Sequence, residues 1–273
     1  MRRTVAALAV NGALVAAAAL TLMPLLWMLS ASLMPAGEAT AVPPRLLPSA
    51  PTLEHYRILF TRLDLGRALL NSAGLAAGVT LLALAINSLA GYAFAKLPFR
   101  GRAGLFSALL AVLVVPAQVA MLPLFLELKA LGLVNTYAAV AVPGLASVFG
   151  IFLIRQYAHG IPDGVLDAAR VDGAGEFRVF RSVAFRLLGP ILVTLAVFTF
   201  MGVWNDFMWP LVVLADERRY TLPVALATLA GEHVQDVELM MAGAVVTVLP
   251  VLLLFVCLQR YYIAGVMAGG VKE

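Results

Sequence analysis

The sequence predicts an all-α membrane protein: six transmembrane helices, with a cytoplasmic loop of two short helices. Three observations predict it. Hydrophobic residues fill 62% of the 273 positions and charged residues only 12%, against about 45–50% and about 25% in a soluble domain. The apolar residues gather in six long uncharged runs, each long enough to supply the roughly 20 residues that a spanning helix needs. Between two of these runs lies one strongly charged stretch, "DAARVDGAGEFRVFRSVAFRLLGP" (167–190).

The runs are 4–37, 68–95, 103–126, 130–154, 187–205 and 239–259, the fifth continuing apolar past Asp206 to Ala215. In lipid their backbone groups must be satisfied internally, which leaves helices as the solution and tolerates the Gly and Pro within them. The first run comes after Arg2 and Arg3. It is too long for a signal peptide and shows no clear cleavage site, so it reads as a retained anchor. Six spans put both termini on one side. With the amino terminus inside, seven Lys and Arg lie outside (Arg45, Arg57, Arg62, Arg67, Lys129, Arg218, Arg219) and the other twelve lie inside. Positive charge favours the cytoplasm. That places "KLPFRGR" (96–102), the charged stretch and both termini in the cytoplasm.

The whole chain, 1–273, reads as one domain with three notable loops. External loop 34–66 carries Pro35, Pro43, Pro44, Pro48 and Pro51, then "LEHYRILF", which suits a short amphipathic surface helix. External loop 216–238 carries Asp216, Glu217, Glu232, Asp236 and Glu238. Both read as solvated connections or as docking surfaces for an external partner. The cytoplasmic loop spans 159–186. Its first helix begins at Pro162 or Asp163, where proline and an acid suit the amino end. Gly173 can take the left-handed conformation that ends a helix, and Asp172 can cap the second helix of the loop. That second helix places Phe177, Phe180, Ala184 and Leu187 on one stripe, with Arg178 and Arg181 off it. Ala168, Ala169 and Ala174 offer a small-residue face for close approach, and Pro190 marks the entry to span five.

Hydrolysis by this chain has no candidate centre. The chain has no GxxxxGK[ST] phosphate loop, no HExxH and no GxSxG,. His55, His159 and His233 fall in separate loops, away from metal-ligand spacing. Cys257 is the only cysteine, so an intrachain disulfide is excluded. Basic residues are not interleaved with aromatics as nucleic-acid binding requires. Within the spans, Asp206 is costly in lipid and should face a path, a partner helix or an interface. Asn205 and Asp206 line a path or hold helices together. Bundle-interior polar residues often serve packing, which favours the second reading, also for Asn87 and Gln118. Trp204 could stack on the face of a transported ligand but suits an interfacial anchor.

The charged stretch resembles the cytoplasmic "EAA" loop of binding-protein-dependent ABC importers. Asp167, Ala168 and Ala169 fill the Glu-Ala-Ala places, and Asp172, Gly173 and Ala174 the Asp-Gly-Ala places. Phe180, Val183 and Pro190 fall on the later Phe, aliphatic and Pro positions. Asp167 shortens the usual Glu, and Arg186 stands where a first Pro is usual, which predicts a softer bend. The stretches "LLNSAGLAAG", "AGYAFAKLPFRGR", "LGLVNTYAAVAVP", "FGIFLIRQY", "WNDFMWPL", "YTLPVALATL", "MAGAVVTVLPVLLLF" and "QRYYIAGVMAGGVKE" are similar to maltose-type sugar permeases, in order along nearly the whole chain. They fit the shorter six-span permease of the pair.

The resemblance implies a subunit of a bacterial inner-membrane importer for maltose or another oligosaccharide. The chain would pair with a second homologous permease around one path, with two ATPase subunits below and an external sugar-binding protein above. ATP and magnesium would be used by the ATPases, and this chain would bind no cofactor. Asp167 to Ala174, Phe180 and Pro190 would couple to the ATPases. Gly265, Gly269, Gly270 and Lys272 in the tail would reach the ATPase dimer interface. An ion-coupled secondary transporter is the rival. It would want ionisable residues in several spans and an internal repeat; the predicted spans hold only Asp206, and no repeat is evident. A membrane-embedded enzyme would want a paired catalytic set.

The charge asymmetry makes a testable prediction. In a background lacking Cys257, cysteines at Arg100 and Gly175 should be shielded from an impermeant thiol reagent in intact cells, and cysteines at Pro48 and Glu232 labelled. External labelling at Gly175 would overturn the orientation.

Overall fold

The computed structural model describes residues 2–43, 45–232 and 236–270, with side chains over 10–43, 45–231 and 236–257. Pro44, His233 and Lys272, singled out above, lie outside the described residues. Helix is the only regular structure among the described residues, as lipid demands. In order, the helices are α1 Arg2–Ala31, α2 Glu54–Thr61, α3 Leu65–Lys96, α4 Arg102–Ala111, α5 Ala117–Ala130, α6 Tyr137–Leu145 and α7 Val148–His159. Next come α8 Asp163–Val171, α9 Glu176–Val179, α10 Phe185–Leu187, α11 Gly189–Trp204, α12 Met208–Val213, α13 Leu222–Glu232 and α14 Val237–Gly270. The chain packs as two units, one of residues 1–67 and 225–250, the other of 68–224 and 251–273.

Four segments are long and apolar enough to cross a membrane: Val10–Ala31, Leu65–Lys96, Tyr137–His159 and Val237–Cys257. Two bent helix pairs, 102–114 with 117–130 and 176–187 with 189–204, bring the number to six if each pair counts as one span. The third predicted span, 103–126, is therefore not straight. It breaks by 104° because Val115 stands extended (φ −80°, ψ 119°) ahead of Pro116, where the proline ring disfavours helix for its predecessor. The fourth predicted run, 130–154, is also re-cut. Gly132 and Asn135 have positive φ (69° and 62°), and Thr136 caps α6 by accepting from the Ala139 N–H at 3.2 Å, so the helix starts at Tyr137.

Within the first unit, the 34–66 segment is more than a solvated loop. The expected short helix is α2, whose His55 and Leu59 are buried. The His55 Nε2 lies 2.9 Å from the Met34 carbonyl oxygen. Ser32 Oγ and the Tyr56 hydroxyl are 2.8 Å apart. Glu38 accepts from the Ser49 N–H and pairs with Arg45 at 2.9 Å. Glu238, read above as part of an acidic loop, is only 1% exposed and accepts from the Ala39 N–H at 2.8 Å. The 216–238 segment, which both units share, is likewise not all loop: nearly half of it is helix α13, with Leu222, Val224 and Leu229 buried. Its apolar run is too short to span a bilayer, and it packs inside the protein instead. By contrast, no residue from Val10 to Ser30 is buried within the chain, which leaves that helix for lipid or another subunit.

The second unit depends on close helix contacts. A Cβ built on Gly91 of α3 would stand 2.6 Å from Cβ and Cγ2 of Ile154 on α7, and 3.0 Å from the Arg155 nitrogen. Only glycine lets these backbones approach so far, the usual device of membrane helix packing. Asn87 is fully buried one turn earlier. It accepts from the Ser147 N–H at 3.0 Å and so holds the junction of α6 and α7, where Ser147 caps α7 through the Gly150 N–H at 3.2 Å.

Gly91→Ala should therefore overpack this contact at a cost of about 1–3 kcal/mol. Gly74→Ala should be tolerated, since nothing lies within 4 Å of its Cβ position. Thermal unfolding of the purified complex reads both; equal melting temperatures for the two variants would contradict the contact.

Candidate functional site

The charged stretch folds as two short helices around a tight turn. Pro162 precedes α8, and Asp163 opens it. At the other end the Gly173 N–H donates to the Arg170 carbonyl at 2.9 Å, and the Ala174 N–H to the Ala169 carbonyl at 3.0 Å. These are the two hydrogen bonds of a Schellman cap, with Gly173 at φ 84° in the left-handed position such a cap requires,. Asp172 does not cap the second helix. It ends α8, and α9 starts after Gly175 with no side-chain cap, because the cap at this corner is made by backbone.

The second helix is not the regular one that the stripe assumed. Phe180–Ala184 is a π turn, in which the Phe185 N–H donates back to the Phe180 carbonyl. One residue is inserted into the period. The buried set becomes Val179, Phe180, Ala184 and Leu188, while Phe177 is 68% exposed and Leu187 42%. The bend expected to soften at Arg186 is instead 79°, and it falls at Leu188, where α10 ends and α11 begins with Pro190 in its first turn.

The loop is anchored in three ways. First, Leu166 of α8 is wholly buried and joins a cluster with Tyr92 of α3, Ile154 and Ala158 of α7, and Leu188 and Leu192 at the bend and in α11. The rings of Tyr92 and Phe180 are 5.3 Å apart and tilted. Second, the Lys96 Nζ donates to the Ile161 carbonyl at 2.6 Å and to Asp163 Oδ1 at 2.7 Å. Its side chain is 7% exposed. The Lys96 hydrogen bond holds the Asp163 carboxyl below the usual carboxylate range. Third, Arg170 grips Glu176 with two nitrogens at 2.7 and 3.2 Å and Asp167 with another at 2.7 Å. Glu176, first, and Asp167 hold its pKa above the ordinary arginine value. This fork closes α8 onto α9 across the turn. Sequence reasoning missed Lys96 as an anchor and the Arg170–Glu176 pair. The spacing of Asp167, Arg170 and Glu176 was visible, but pairing across a corner depends on the left-handed turn between them.

The alanines divide accordingly. Ala169 and Ala174 pack against the buried cluster, whereas Asp167, Ala168, Asp172 and Gly173 are exposed. The outward apolar residues of α8 are Val165 and Val171, with Val171 87% exposed. The surface offered to another molecule is thus this turn and its flanks.

The polar residues of the spans do not form one site. Gln118 and Asp206 share a cavity of about 350 Å³ with Met121, Gly144 and Trp209. Asp206 Oδ1 accepts from the Trp209 N–H at 3.4 Å, a long bond that helps start α12 after the break. Asn205 donates to the Met201 carbonyl at 2.9 Å. Trp204 is 1% exposed and stacks on Phe200, ring centroids 5.7 Å apart, so it has no face for a sugar. Trp209, not singled out in the sequence, lines the cavity instead and donates from Nε1 to the Ala139 carbonyl at 3.0 Å. Asn87 serves the α6–α7 junction. Gly265, Gly269 and Gly270 lie in the helical backbone of α14.

Lys96→Met should leave the Ile161 carbonyl and Asp163 without their donor. Loss of a charged hydrogen bond of this kind costs about 1.5–3 kcal/mol. Limited proteolysis should then cut within 160–176 faster than in the parent, with α-helical content retained. Unchanged cleavage would mean that the lysine does not anchor the loop.

Residues 87–267 match the family described as the binding-protein-dependent transport system inner membrane component. The chain is 38% identical over 256 residues to the arabinooligosaccharides transport system permease protein AraQ of Halalkalibacterium halodurans, covering 93% of this chain and 92% of that protein. It is 33% identical over 255 residues to the trehalose transport system permease protein SugB of Mycobacterium tuberculosis, covering 92% of each. Its fold superposes with a TM-score of 0.83 on a chain from the crystal structure of a bacterial ABC transporter involved in the import of the acidic polysaccharide alginate, at 24% identity and covering 96% of this chain and 98% of that one. This membrane-spanning helical chain, built around a buttressed two-helix loop, belongs to the binding-protein-dependent transport system inner membrane components.

Proposed function

We propose that this chain is one of two permeases in an ATP-driven importer of oligosaccharides. The cargo class is supported by the relatives, whose names specify arabinooligosaccharides, trehalose and diacetylchitobiose. The observation that carries the mechanism is the loop: an exposed turn of Asp167, Ala168, Asp172 and Gly173 on helices whose inner faces are buried against three others. Such a device transmits displacement. A partner that grips the turn moves α3, α7 and α11 with it, because the buried cluster leaves the loop little freedom of its own.

In this reading two cytoplasmic ATPase subunits bind and hydrolyse ATP with magnesium, and one of them receives the turn. A second, homologous permease completes the path, and an external binding protein delivers the sugar. Both termini lie in the cytoplasm. The tail with Gly265, Gly269, Gly270 and Lys272 reaches the ATPases. Pro190, at the start of α11 beyond the bend, carries the movement into the membrane. The cavity of Gln118, Asp206 and Trp209 is this chain's contribution to the path: two polar groups and an aromatic edge suit a sugar's hydroxyls and ring face.

The test is Gly173→Asp. Nothing in the chain lies within 4 Å of a Cβ at Gly173, so a carboxylate there meets solvent, or the partner. The positive φ adds roughly 1–2 kcal/mol of local strain. The variant should insert and assemble its helices, yet lose sugar uptake and binding-protein stimulation of the ATPase, while the exposed control Arg62→Asp keeps both. Wild-type uptake, stimulation and ATPase copurification in Gly173→Asp would refute the coupling role.

A further inference from the structure

Three arginines of the second loop helix are left over by this mechanism. Arg178, Arg181 and Arg186 line one cavity of about 340 Å³ with Phe177 and Ser182. All three are exposed, and among the described residues none forms an ion pair. Their neighbours differ. Lys96 is bound to Asp163 and Arg170 to Asp167 and Glu176, and Arg155 lies 3.9 Å over the Phe106 ring. Three uncompensated cations around one concavity make an anion site.

The π turn builds it. At 100° per residue, Arg181 and Arg186 would stand about 140° apart around a regular helix. The i→i+5 turn across Phe180–Ala184 brings them towards one face. Arg178 already shares that face with Arg181 and Ser182, three and four residues on.

The surroundings identify the anion. Arg186 stands three residues before Gly189, the first residue of α11, and the segment 176–187 meets α11 at 79°. Where α11 crosses the membrane, as the proposed function holds, that segment lies along the surface. Phe177, Phe185 and Leu187 are exposed beside the arginines, at 68%, 40% and 42%. Basic groups flanked by exposed apolar ones at the mouth of a span are the pattern of an interfacial helix. We propose that Arg178, Arg181, Arg186 and Ser182 bind the headgroup phosphate of an anionic phospholipid in the adjoining leaflet, with Phe177 and Phe185 against its acyl chains. A free phosphate would have no use for these apolar flanks.

The assembled complex in nanodiscs of mixed phosphatidylglycerol and phosphatidylcholine tests this, with retained lipid counted by native mass spectrometry. The parent should retain phosphatidylglycerol in preference. The triple variant Arg178→Gln, Arg181→Gln, Arg186→Gln should lose that preference at least tenfold, triple replacement by Lys should largely keep it, and Arg62→Gln should behave as the parent. Equal phosphatidylglycerol retention by the parent and the triple Gln variant overturns the proposal. Displacement of the lipid by inorganic phosphate alone assigns the cavity to free phosphate and overturns it too. Loss of the ATPase from the triple Gln complex with lipid retention unchanged makes the arginines a protein interface and also overturns it. Lipid preference can fail here while Gly173→Asp still abolishes uptake, so the two readings fall separately.

Discussion

Everything in the lower part of this chain turns on the burial of Leu166. A leucine in a nine-residue helix outside the membrane would be expected to meet water on one side. Here it is wholly enclosed, by side chains from α3, α7 and the α10–α11 corner. Full burial of such a side chain is worth about 1.5–3 kcal/mol, and close-packed interiors deform little. The loop is thereby an extension of the helical bundle. The Lys96 bond at its entry and the Arg170 fork at its turn close the two places where it could peel away.

That constraint explains which surfaces remain. With Ala169 and Ala174 spent on internal packing, recognition falls to the corner itself: Asp172, Gly173 and the exposed valines beside it. The corner is held by backbone hydrogen bonds, which leaves the side chains there free for a partner. The same economy appears in the spans. Gly91 is committed to the α3–α7 contact, Asn87 to the α6–α7 junction and Trp204 to its own stack, so the open polar cavity is left to Gln118, Asp206 and Trp209.

Much of this was legible in the sequence. Apolar runs located the membrane helices, and Pro162, Asp163 and Gly173 marked the ends of α8. Three features were not legible, each for a physical reason. The π turn at Phe180–Ala184 shifts the buried stripe by one residue, and no side chain in it announces the shift. Helix α13 is an apolar run of 11 residues, below spanning length, in a segment whose acids suggested water. The break at Val115–Pro116 could have been read from the residue preceding proline, but lipid-buried prolines are often tolerated within a helix, as Pro123 is in α5. The anchoring ion pairs escaped because they join residues brought together only by the turn and by α3 docking.

The central claim is that the exposed turn and the membrane helices move as one body. Spin labels at Val171, on the turn, and Leu81, on the exposed side of α3, would measure it in the assembled importer. The distance distribution between them should be narrow and the same in the resting, ATP-bound and vanadate-trapped complexes, while distances from either label to the partner permease change. A distribution that shifts or broadens between these states would show a loop that flexes on its own, and would contradict the account.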